Sequence, residues 1–308
     1  MTEQNKIVVL AGATGNLGSL IAHALLDKPG VRLRALVRPA SAGKLATLRE
    51  KGVEVVEIDL DNETQGEKLA AALNGAFSVV SAIQGGPDVI VGDQLRLLDA
   101  ASRAKVRRFI PSSFSYNIFG LDDGENINTD DRRAFAREAE KARGGVEVEV
   151  VHINIGAFLD RRVLFGFLGA FDLDARQAFL WGDGQTAMDF TTYEDTARFT
   201  AEVALDEGQV PGVFEVAGDT LTFHELVRTY EEASGKSISV VKKGSLADLD
   251  REIEQRRQAE PRNMYAWLPL MYWRGMLSGK GKLHAIANDR YPWIKPQTVR
   301  DYVRQEGL

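Results

Sequence analysis

Residues 6–18 of the chain read KIVVLAGATGNLG, and this stretch decides the fold class. The first six are apolar and rich in β-branched residues, which predicts a buried strand. A G-x-x-G-x-x-G turn follows directly, and a helical spacing of apolar residues begins at Leu17. Glycines in such a turn let the backbone approach a pyrophosphate, and the helix N-terminus attracts that anion with unpaired N–H groups. The strand–turn–helix context therefore predicts a dinucleotide-binding loop.

The same alternation of strand and helix continues beyond the glycine turn. Further strands are predicted at residues 32–37, 53–58, 77–83, 107–111 and 146–155, with helices at 42–51, 64–74, 88–104 and 130–143 between them. Alternation at this spacing is typical of βαβ units. We therefore expect an α/β fold, a Rossmann-type doubly wound parallel sheet with a smaller C-terminal substrate domain. The predicted nucleotide-binding domain is 1–155, to which 187–220 return, and the substrate domain is 156–186 with 221–308.

Composition excludes several classes of protein. The 308 residues contain no cysteine, which rules out a disulfide framework, thiolate metal sites and a cysteine nucleophile. The net charge of −6 argues against nucleic-acid binding, and neither a signal peptide nor a long apolar run is apparent. No histidine pair has metal-ligand spacing, so we expect no catalytic metal. We expect a cytoplasmic protein that binds neither membrane nor nucleic acid.

The end of the second predicted strand discriminates between the two nicotinamide dinucleotides. Folds that prefer NAD(H) usually place an acidic residue there to hold the ribose hydroxyls. This strand ends instead in Arg38, with Lys44 shortly after it, and has no acidic residue at that position. A guanidinium binds a 2′-phosphate with two hydrogen bonds, so the sequence favours NADP(H) over NAD(H). The alternative is that Arg38 only caps the strand end.

Two other strand ends are candidate cofactor contacts, because ligands of such sheets bind at the carboxyl ends of the strands. Asp59 and Leu60 follow the third strand and either approach the adenine or form a plain turn. Ala82, Ile83 and Gln84 follow the fourth strand and precede two glycines. We expect this second segment to lie along the cofactor, the alternative being an ordinary glycine turn.

Longer motifs carry a family resemblance. GATGNLG is followed in order by ALVRP, VVSAIQGG, RRFIPSSFSYN, VVHINIGAF and GDGQTAMDFTTYEDTARFTAEVAL. Over residues 6 to about 217 the chain resembles the NmrA-like and isoflavone-reductase-like branch of the atypical short-chain dehydrogenases/reductases. The resemblance implies NADP(H) bound to a Rossmann domain. By position, it assigns the cofactor contacts to Gly12, Thr14, Gly15, Asn16, Leu17, Gly18, Arg38, Lys44, Ala82, Ile83, Gln84, Phe114 and Asn154, with Ser113 also near the nicotinamide.

The chain departs from the family at the catalytic lysine. The Tyr-x-x-x-Lys pair of standard short-chain dehydrogenases is absent, and isoflavone-reductase-like enzymes use a lysine in a K-x-x-x-R helix instead. Arg133 and Arg137 have that spacing, and counting from Asn154 places the lysine at Ala134. Arginine cannot release a proton near neutral pH. Arg133 would anchor an anionic substrate or stabilise an oxyanion, unless it is only a solvated charge.

The remaining candidates lead to two hypotheses of function. Tyr116 and Ser113 are candidate substrate contacts, whereas His152 fits a buried structural histidine. Aromatic residues at 158–181 and 265–273 line a pocket for a flat substrate or form core. The first hypothesis is an NADPH-dependent reductase of a small aromatic or quinone-like compound. The alternative is an NmrA-like redox-sensing regulator that binds NADP(H) without turnover and acts on a protein partner. A homo-oligomer is compatible with both.

Overall fold

A computed structural model describes residues 5–142 and 148–308 of the chain. Residues 146–147 of the predicted strand and residue 143 of the predicted helix lie outside the described residues. The described remainder of that strand forms two short strands, because the N–H of Val151 donates to the carbonyl of Phe109 whereas the N–H of His152 donates to that of Gly212, in a different segment.

The structure contains the following strands: β1 Lys6–Ala11, β2 Val31–Val37, β3 Glu54–Glu57, β4 Ala76–Ser81, β5 Arg108–Ile110, β6 Glu149–Val150, β7 His152–Asn154, β8 Ala157–Phe158, β9 Phe171–Asp172, β10 Gln177–Trp181, β11 Met188–Thr191, β12 Val213–Glu215, β13 Asp219–Leu221 and β14 Ser239–Gly244. The α-helices are α1 Asn16–Leu26, α2 Ala46–Glu50, α3 Gly66–Leu73, α4 Gln94–Arg103, α5 Ile127–Ala142, α6 Tyr193–Leu205, α7 Phe223–Ser234, α8 Leu246–Ala259, α9 Leu268–Leu277 and α10 Val299–Glu306. Shorter helical segments are Pro39–Leu45, Glu63–Gln65, Asp88–Asp93, Ile118–Gly120, Val163–Phe167, Met264–Ala266 and Asn288–Arg290.

Two predicted helices begin with a different helical geometry. The predicted helix at 42–51 is a 3₁₀-helix, Pro39–Leu45, followed by the short α2. The predicted helix at 88–104 begins as a π-helix, Asp88–Asp93, before it continues as α4. Periodicity alone does not distinguish these windings over so few residues.

Six parallel strands form the central sheet, in the order β3-β2-β1-β4-β5-β6. This confirms the predicted Rossmann-type α/β fold. Strand β1 lies in the middle and has its last four residues buried, because helices cover both faces of a parallel sheet. The order reverses direction between β1 and β4, which is the position where such sheets bind ligands.

The chain divides into two compact units. Unit 1 consists of Met1–Phe114, Asp131–Ile153 and Thr196–Phe214, and it holds the central sheet. Unit 2 consists of Ser115–Asp130, Asn154–Asp195 and Glu215–Leu308.

Unit 2 contains two three-stranded sheets, β14-β10-β9 and β13-β11-β8. Its buried core is rich in aromatic side chains, among them Phe165, Phe171, Phe223, Tyr230 and Trp273. All four tryptophans and all seven tyrosines of the chain lie in this unit.

The unit boundaries differ from the predicted domain boundaries: residues 154–155, 187–195 and 215–220 of the predicted nucleotide-binding domain lie in unit 2, and so does the polar stretch 115–130. That polar stretch belongs to unit 2, where backbone atoms of the C-terminal segment hold it. The amide N–H of Asn117 donates to the carbonyl of Gly281 at 3.0 Å, and Lys280 Nζ contacts the carboxylates of Asp122 and Glu125 at 2.7 Å. Contacts separated by more than 150 residues are invisible to local sequence patterns.

A fully buried arginine connects β5 to the C-terminal end of α6 in unit 1. Arg108 in β5 is 0% exposed, and its guanidinium contacts the carboxylate of Glu149. The same guanidinium donates to the carbonyl oxygens of Val203, Asp206 and Gly208, at the C-terminal end of α6. A helix C-terminus presents carbonyl groups without partners inside the helix, so this side chain satisfies them.

Candidate functional site

The glycine turn has the geometry that an anion-binding loop requires. Gly12 has a φ of +91°, and a Cβ atom there would lie 2.5 Å from the carbonyl oxygen of Ala82. A Cβ on Gly18 would lie 2.1 Å from the carbonyl oxygen of Gly12. Both glycines therefore allow β1, β4 and α1 to meet. A Cβ on Gly15 would lie 3.4 Å from the Gly12 carbonyl oxygen and near no other atom, so this position leaves room for a ligand.

The N-terminus of α1 is open to an anion. Gly15 is the N-cap and provides no side-chain hydrogen bond, and the first turn of the helix carries no acidic residue. Backbone N–H groups and the positive end of the helix dipole therefore face outward without competition from a capping carboxylate. Together with the close approach at Gly15, this arrangement fits a pyrophosphate.

The close contact at Gly12 predicts that a side chain at this position lowers the stability of the protein. Gly12→Ala should cost about 2 kcal/mol more than Gly52→Ala, because the added Cβ meets the Ala82 carbonyl. Gly52 also has a positive φ, +84°, but no atom lies near its Cβ position, so this variant measures the backbone strain alone. Circular dichroism melts of the two variants give the comparison. Equal destabilisation would show that the contact does not require glycine.

Two cations lie past the end of β2. Arg38 and Lys44 are both exposed, and neither forms an ion pair with a described residue. Pro39 begins the 3₁₀-helix that follows, and the amide of Ser41 donates to the carbonyl of Arg38 at 2.8 Å. The tight turn holds Arg38 and Lys44 on the same short segment, and their charges are available to a phosphate.

The segment after β4 adjoins the glycine turn. The amide of Ala82 donates to the carbonyl of Ala11 at 2.8 Å, and the Ala82 carbonyl faces Gly12. Ile83 is half-buried and Gln84 is exposed. The two predicted cofactor segments thus meet at the carboxyl edge of the sheet.

The turn after β3 lines a pocket of about 250 Å³ in unit 1. Ile58, Asp59 and Leu60 form one side, and Arg96 from α4 forms another. The Arg96 guanidinium donates to the Leu60 carbonyl at 2.9 Å. The glycine turn and Arg38 do not line this pocket, so it is compatible with both a ligand-facing role and a plain turn for Asp59 and Leu60.

Three further candidates of unit 1 are buried. Ser113 and Phe114 follow β5 and are almost inaccessible, as is Arg133 in α5, which is 6% exposed. The possibility that Arg133 is a solvated helix charge is therefore wrong, because the helix turns this side chain inward whereas Arg137 is exposed. His152 is buried with its ring edge against Phe135, at 6.3 Å between centroids, as a structural histidine would be.

Unit 2 contributes a row of aromatic rings, which we call the aromatic row: Tyr116, Tyr272, Phe167 and Tyr265. Ring centroids of successive members lie 5.6, 6.1 and 6.3 Å apart in edge-to-face geometry. Tyr116 is 2% exposed and Tyr265 is 78% exposed, so the row runs from the core to the surface. Of the rest of the predicted aromatic set, Phe158 is half-buried and stacks on Tyr193, whereas the others are core: Phe165, Phe171, Trp181, Trp267 and Trp273.

Asparagine side chains bind the two inner hydroxyls of this row. The amide of Asn126 donates to the Tyr116 hydroxyl at 3.0 Å, and the amide of Asn128 donates to the Tyr272 hydroxyl at 3.2 Å. Sequence reasoning missed both asparagines. They lie in a stretch that was predicted only as a polar loop, and no spacing rule links them to rings as distant as residue 272.

Lys282 is a third residue that sequence reasoning missed. It lines a small pocket of unit 2 together with Tyr116 and Asp189. Its ammonium contacts the fully buried carboxylate of Asp189, which also accepts hydrogen bonds from the Thr220 hydroxyl and the Leu283 amide. The paired carboxylate fixes the position of this positive charge.

Asn154 is a buried side chain in which both polar atoms of the amide lack a partner. It is 0% exposed, and neither the oxygen nor the nitrogen of its amide has a hydrogen-bond partner. Its backbone is held by the neighbouring chain, since Asn154 pairs with Ser115 and the amide of Ile155 donates to the Ser115 carbonyl at 2.7 Å. A buried amide without partners is costly, which is typical of a group that awaits a ligand.

Within residues 5–142 and 148–308, which the structure describes, every helix is too short or too polar to span a bilayer. These residues also contain no group of three or more histidine, aspartate or glutamate side chains arranged to hold a metal ion.

Comparisons with known proteins agree with this architecture. The NmrA-like family matches residues 3–124. An NmrA-like family domain-containing oxidoreductase of Gibberella moniliformis is 26% identical over 238 residues, which are 74% of this chain and 77% of that protein.

Solved structures show the same fold. An isoflavone reductase has a TM-score of 0.80 at 22% identity, covering 98% of this chain and 99% of the other. An NADPH-dependent quinone oxidoreductase of Escherichia coli, in complex with NADPH, has a TM-score of 0.74 at 19% identity, covering 98% and 100%.

Proposed function

We propose that this chain, whose residues 3–124 match the NmrA-like family, is an NADPH-dependent reductase. The observation that carries the proposal is the open N-terminus of α1 behind a glycine turn, beside two unpaired cations. The curated relative named as an oxidoreductase and the NADPH complex of the quinone oxidoreductase support it.

Different residues of the site would bind different parts of the cofactor. Backbone N–H groups of residues 16–18 would hold the pyrophosphate, and Arg38 with Lys44 would hold the 2′-phosphate. The adenosine would lie beside Asp59 and Leu60, and the ribose and linker beside Ala82, Ile83 and Gln84. Asn154, whose side-chain amide has no partner, would form a hydrogen bond with the cofactor. When bound, the nicotinamide supplies a hydride.

The aromatic row supports a flat aromatic or quinone-like substrate. Rings of a ligand pack against aromatic faces and edges, and the asparagine-bound hydroxyls of Tyr116 and Tyr272 add polar contacts. Arg133 cannot donate a proton near neutral pH, so an acceptor that needs little acid catalysis suits this chain. A quinone meets that condition, because its carbonyl carbons and conjugated positions are already electron-poor.

One observation favours a second candidate function, a redox sensor that binds NADP(H) without turnover. The family lysine is replaced, since Arg133 and Ala134 occupy the two positions where alignment of the motifs would place it. A sensor must distinguish the oxidised from the reduced cofactor, whereas a reductase only has to bind NADPH productively. The affinities for NADPH and NADP⁺ therefore separate the two candidates.

Transfer of deuterium tests the reductase directly. NADPH labelled at C4, in each stereoisomer separately, should pass deuterium to at least one member of a panel of quinones and aromatic ketones. Mass spectrometry of the products gives the readout, and reactions without protein correct for spontaneous reduction. Label in a quinone product from only one stereoisomer is the expected result, because a bound nicotinamide presents one face.

The opposite result has a definite meaning. If calorimetry detects NADPH binding and no compound acquires label, the reductase proposal is wrong and the sensor remains. If calorimetry detects no binding of NADPH, both candidates are wrong.

A further inference from the structure

A buried glutamine links the loops on the carboxyl edge of the central sheet. Gln94, the first residue of α4, is 1% exposed. Its side-chain oxygen accepts a hydrogen bond from the amide of Ser112 at 2.7 Å, and its side-chain nitrogen donates to the carbonyl of Ile90 at 2.7 Å. The Ser112 hydroxyl donates in turn to the carbonyl of Ile83, also at 2.7 Å. We call these four residues the Gln94 latch.

The position of the latch suggests what it does. Ile83 lies in the segment after β4, Ile90 in the π-helix that precedes α4, and Ser112 directly after β5. The latch therefore ties together three segments that leave the carboxyl edge of the sheet. Two of them continue into proposed cofactor contacts, Gln84 on one side and Ser113 on the other. The other buried positions of α4 are apolar, for example Leu97 and Leu98, so packing of the core does not require a glutamine at position 94.

We propose that Gln94 and Ser112 are positioning residues that set the spacing between the Ile83–Gln84 and Ser113–Phe114 segments, and thereby the nicotinamide half of the NADP(H) site. This inference rests on the proposed function. The adenosine half depends on the glycine turn and Arg38, and the side-chain hydrogen bonds of Gln94 and Ser112 go to other residues. Breaking the latch should therefore weaken contacts to one half of the cofactor and spare the other.

The test compares two ligands that differ in the nicotinamide half. NADPH contains both halves, whereas 2′,5′-ADP contains only the adenosine with its phosphates. Dissociation constants of both are measured by calorimetry for the wild type, Gln94→Met and Ser112→Ala. We expect each variant to bind NADPH about fivefold or more weakly, the loss of one hydrogen-bonded partner in a buried network. Binding of 2′,5′-ADP should stay within about twofold of the wild type.

Thr200→Val is the matched control. Thr200 is a buried residue of unit 1 whose hydroxyl donates to the Thr196 carbonyl at 2.7 Å within α6. Its replacement removes one buried hydrogen bond away from the sheet edge, so it should change neither dissociation constant. Ser112→Ala keeps the experiment decisive if Gln94→Met does not fold, because it removes a single hydroxyl and leaves the glutamine in place.

Each outcome decides the inference. Selective loss of NADPH affinity supports it. Unchanged NADPH affinity overturns it, and so does an equal loss for both ligands, which would make the latch a purely structural support of unit 1. If the wild type binds neither ligand, the proposed function itself has failed, and this result is distinct from the other three.

Discussion

Arg38→Ala should weaken the binding of NADPH about 30-fold and leave the binding of NADH unchanged. The guanidinium is exposed just past β2 and makes no ion pair with a described residue, so its hydrogen bonds are available to a 2′-phosphate. Charge-assisted hydrogen bonds contribute about 1.5–3 kcal/mol, and each 1.4 kcal/mol is a factor of ten in the dissociation constant. Titration monitored by the fluorescence of the reduced nicotinamide measures both ligands.

The same strand provides the control for this substitution. Arg32 is an exposed arginine at the N-terminal end of β2, so Arg32→Ala removes an equal charge from the opposite edge of the sheet. It should leave the affinity for NADPH within about twofold of the wild type. If Arg38→Ala binds NADPH as tightly as the wild type, the assignment of the 2′-phosphate is wrong.

Arg108→Met should lower the free energy of unfolding of unit 1 by about 3 kcal/mol. Removal of the guanidinium leaves the partly buried carboxylate of Glu149 without this partner, together with three carbonyl groups in and just after the last turn of α6. Breaking a buried pair from one side is expensive because the remaining groups lose their partners in a site that water reaches poorly. Methionine keeps much of the volume, so the effect reports the lost polar contacts.

Hydrogen exchange measured by mass spectrometry is the suitable readout. Unit 1 contains no tryptophan or tyrosine, so intrinsic fluorescence reports on unit 2 instead. Peptides from β5 and from the end of α6 should exchange faster in Arg108→Met. Arg107→Met is the control: Arg107 is 3.6 Å from the same Glu149 carboxylate and donates to the Gly208 carbonyl at 3.2 Å, but its side chain is 40% exposed, and ion pairs that water reaches contribute less than about 1 kcal/mol. Equal effects of the two substitutions would contradict the role given to Arg108.

The Rossmann-type sheet was predictable because its signals are local. Strand β1, the glycine turn and α1 follow one another within 21 residues, and each is encoded by its own spacing and turn chemistry. Strand ends are equally local, so the cations after β2 could be assigned to a phosphate without coordinates. Nothing comparable marks the aromatic row, whose members are brought together from residues 116, 167, 265 and 272.

The order of strands and helices, the glycine turn and the charge at the end of β2 could be predicted without coordinates, because residues close together in the chain decide these features. Tertiary structure alone decided that Arg133 is buried, that residues 115–130 belong to unit 2, and that the amide of Asn154 has no partner. Burial and hydrogen bonding depend on groups far away along the chain. A helical arginine or a strand asparagine has the same local pattern whether packing encloses it or water surrounds it.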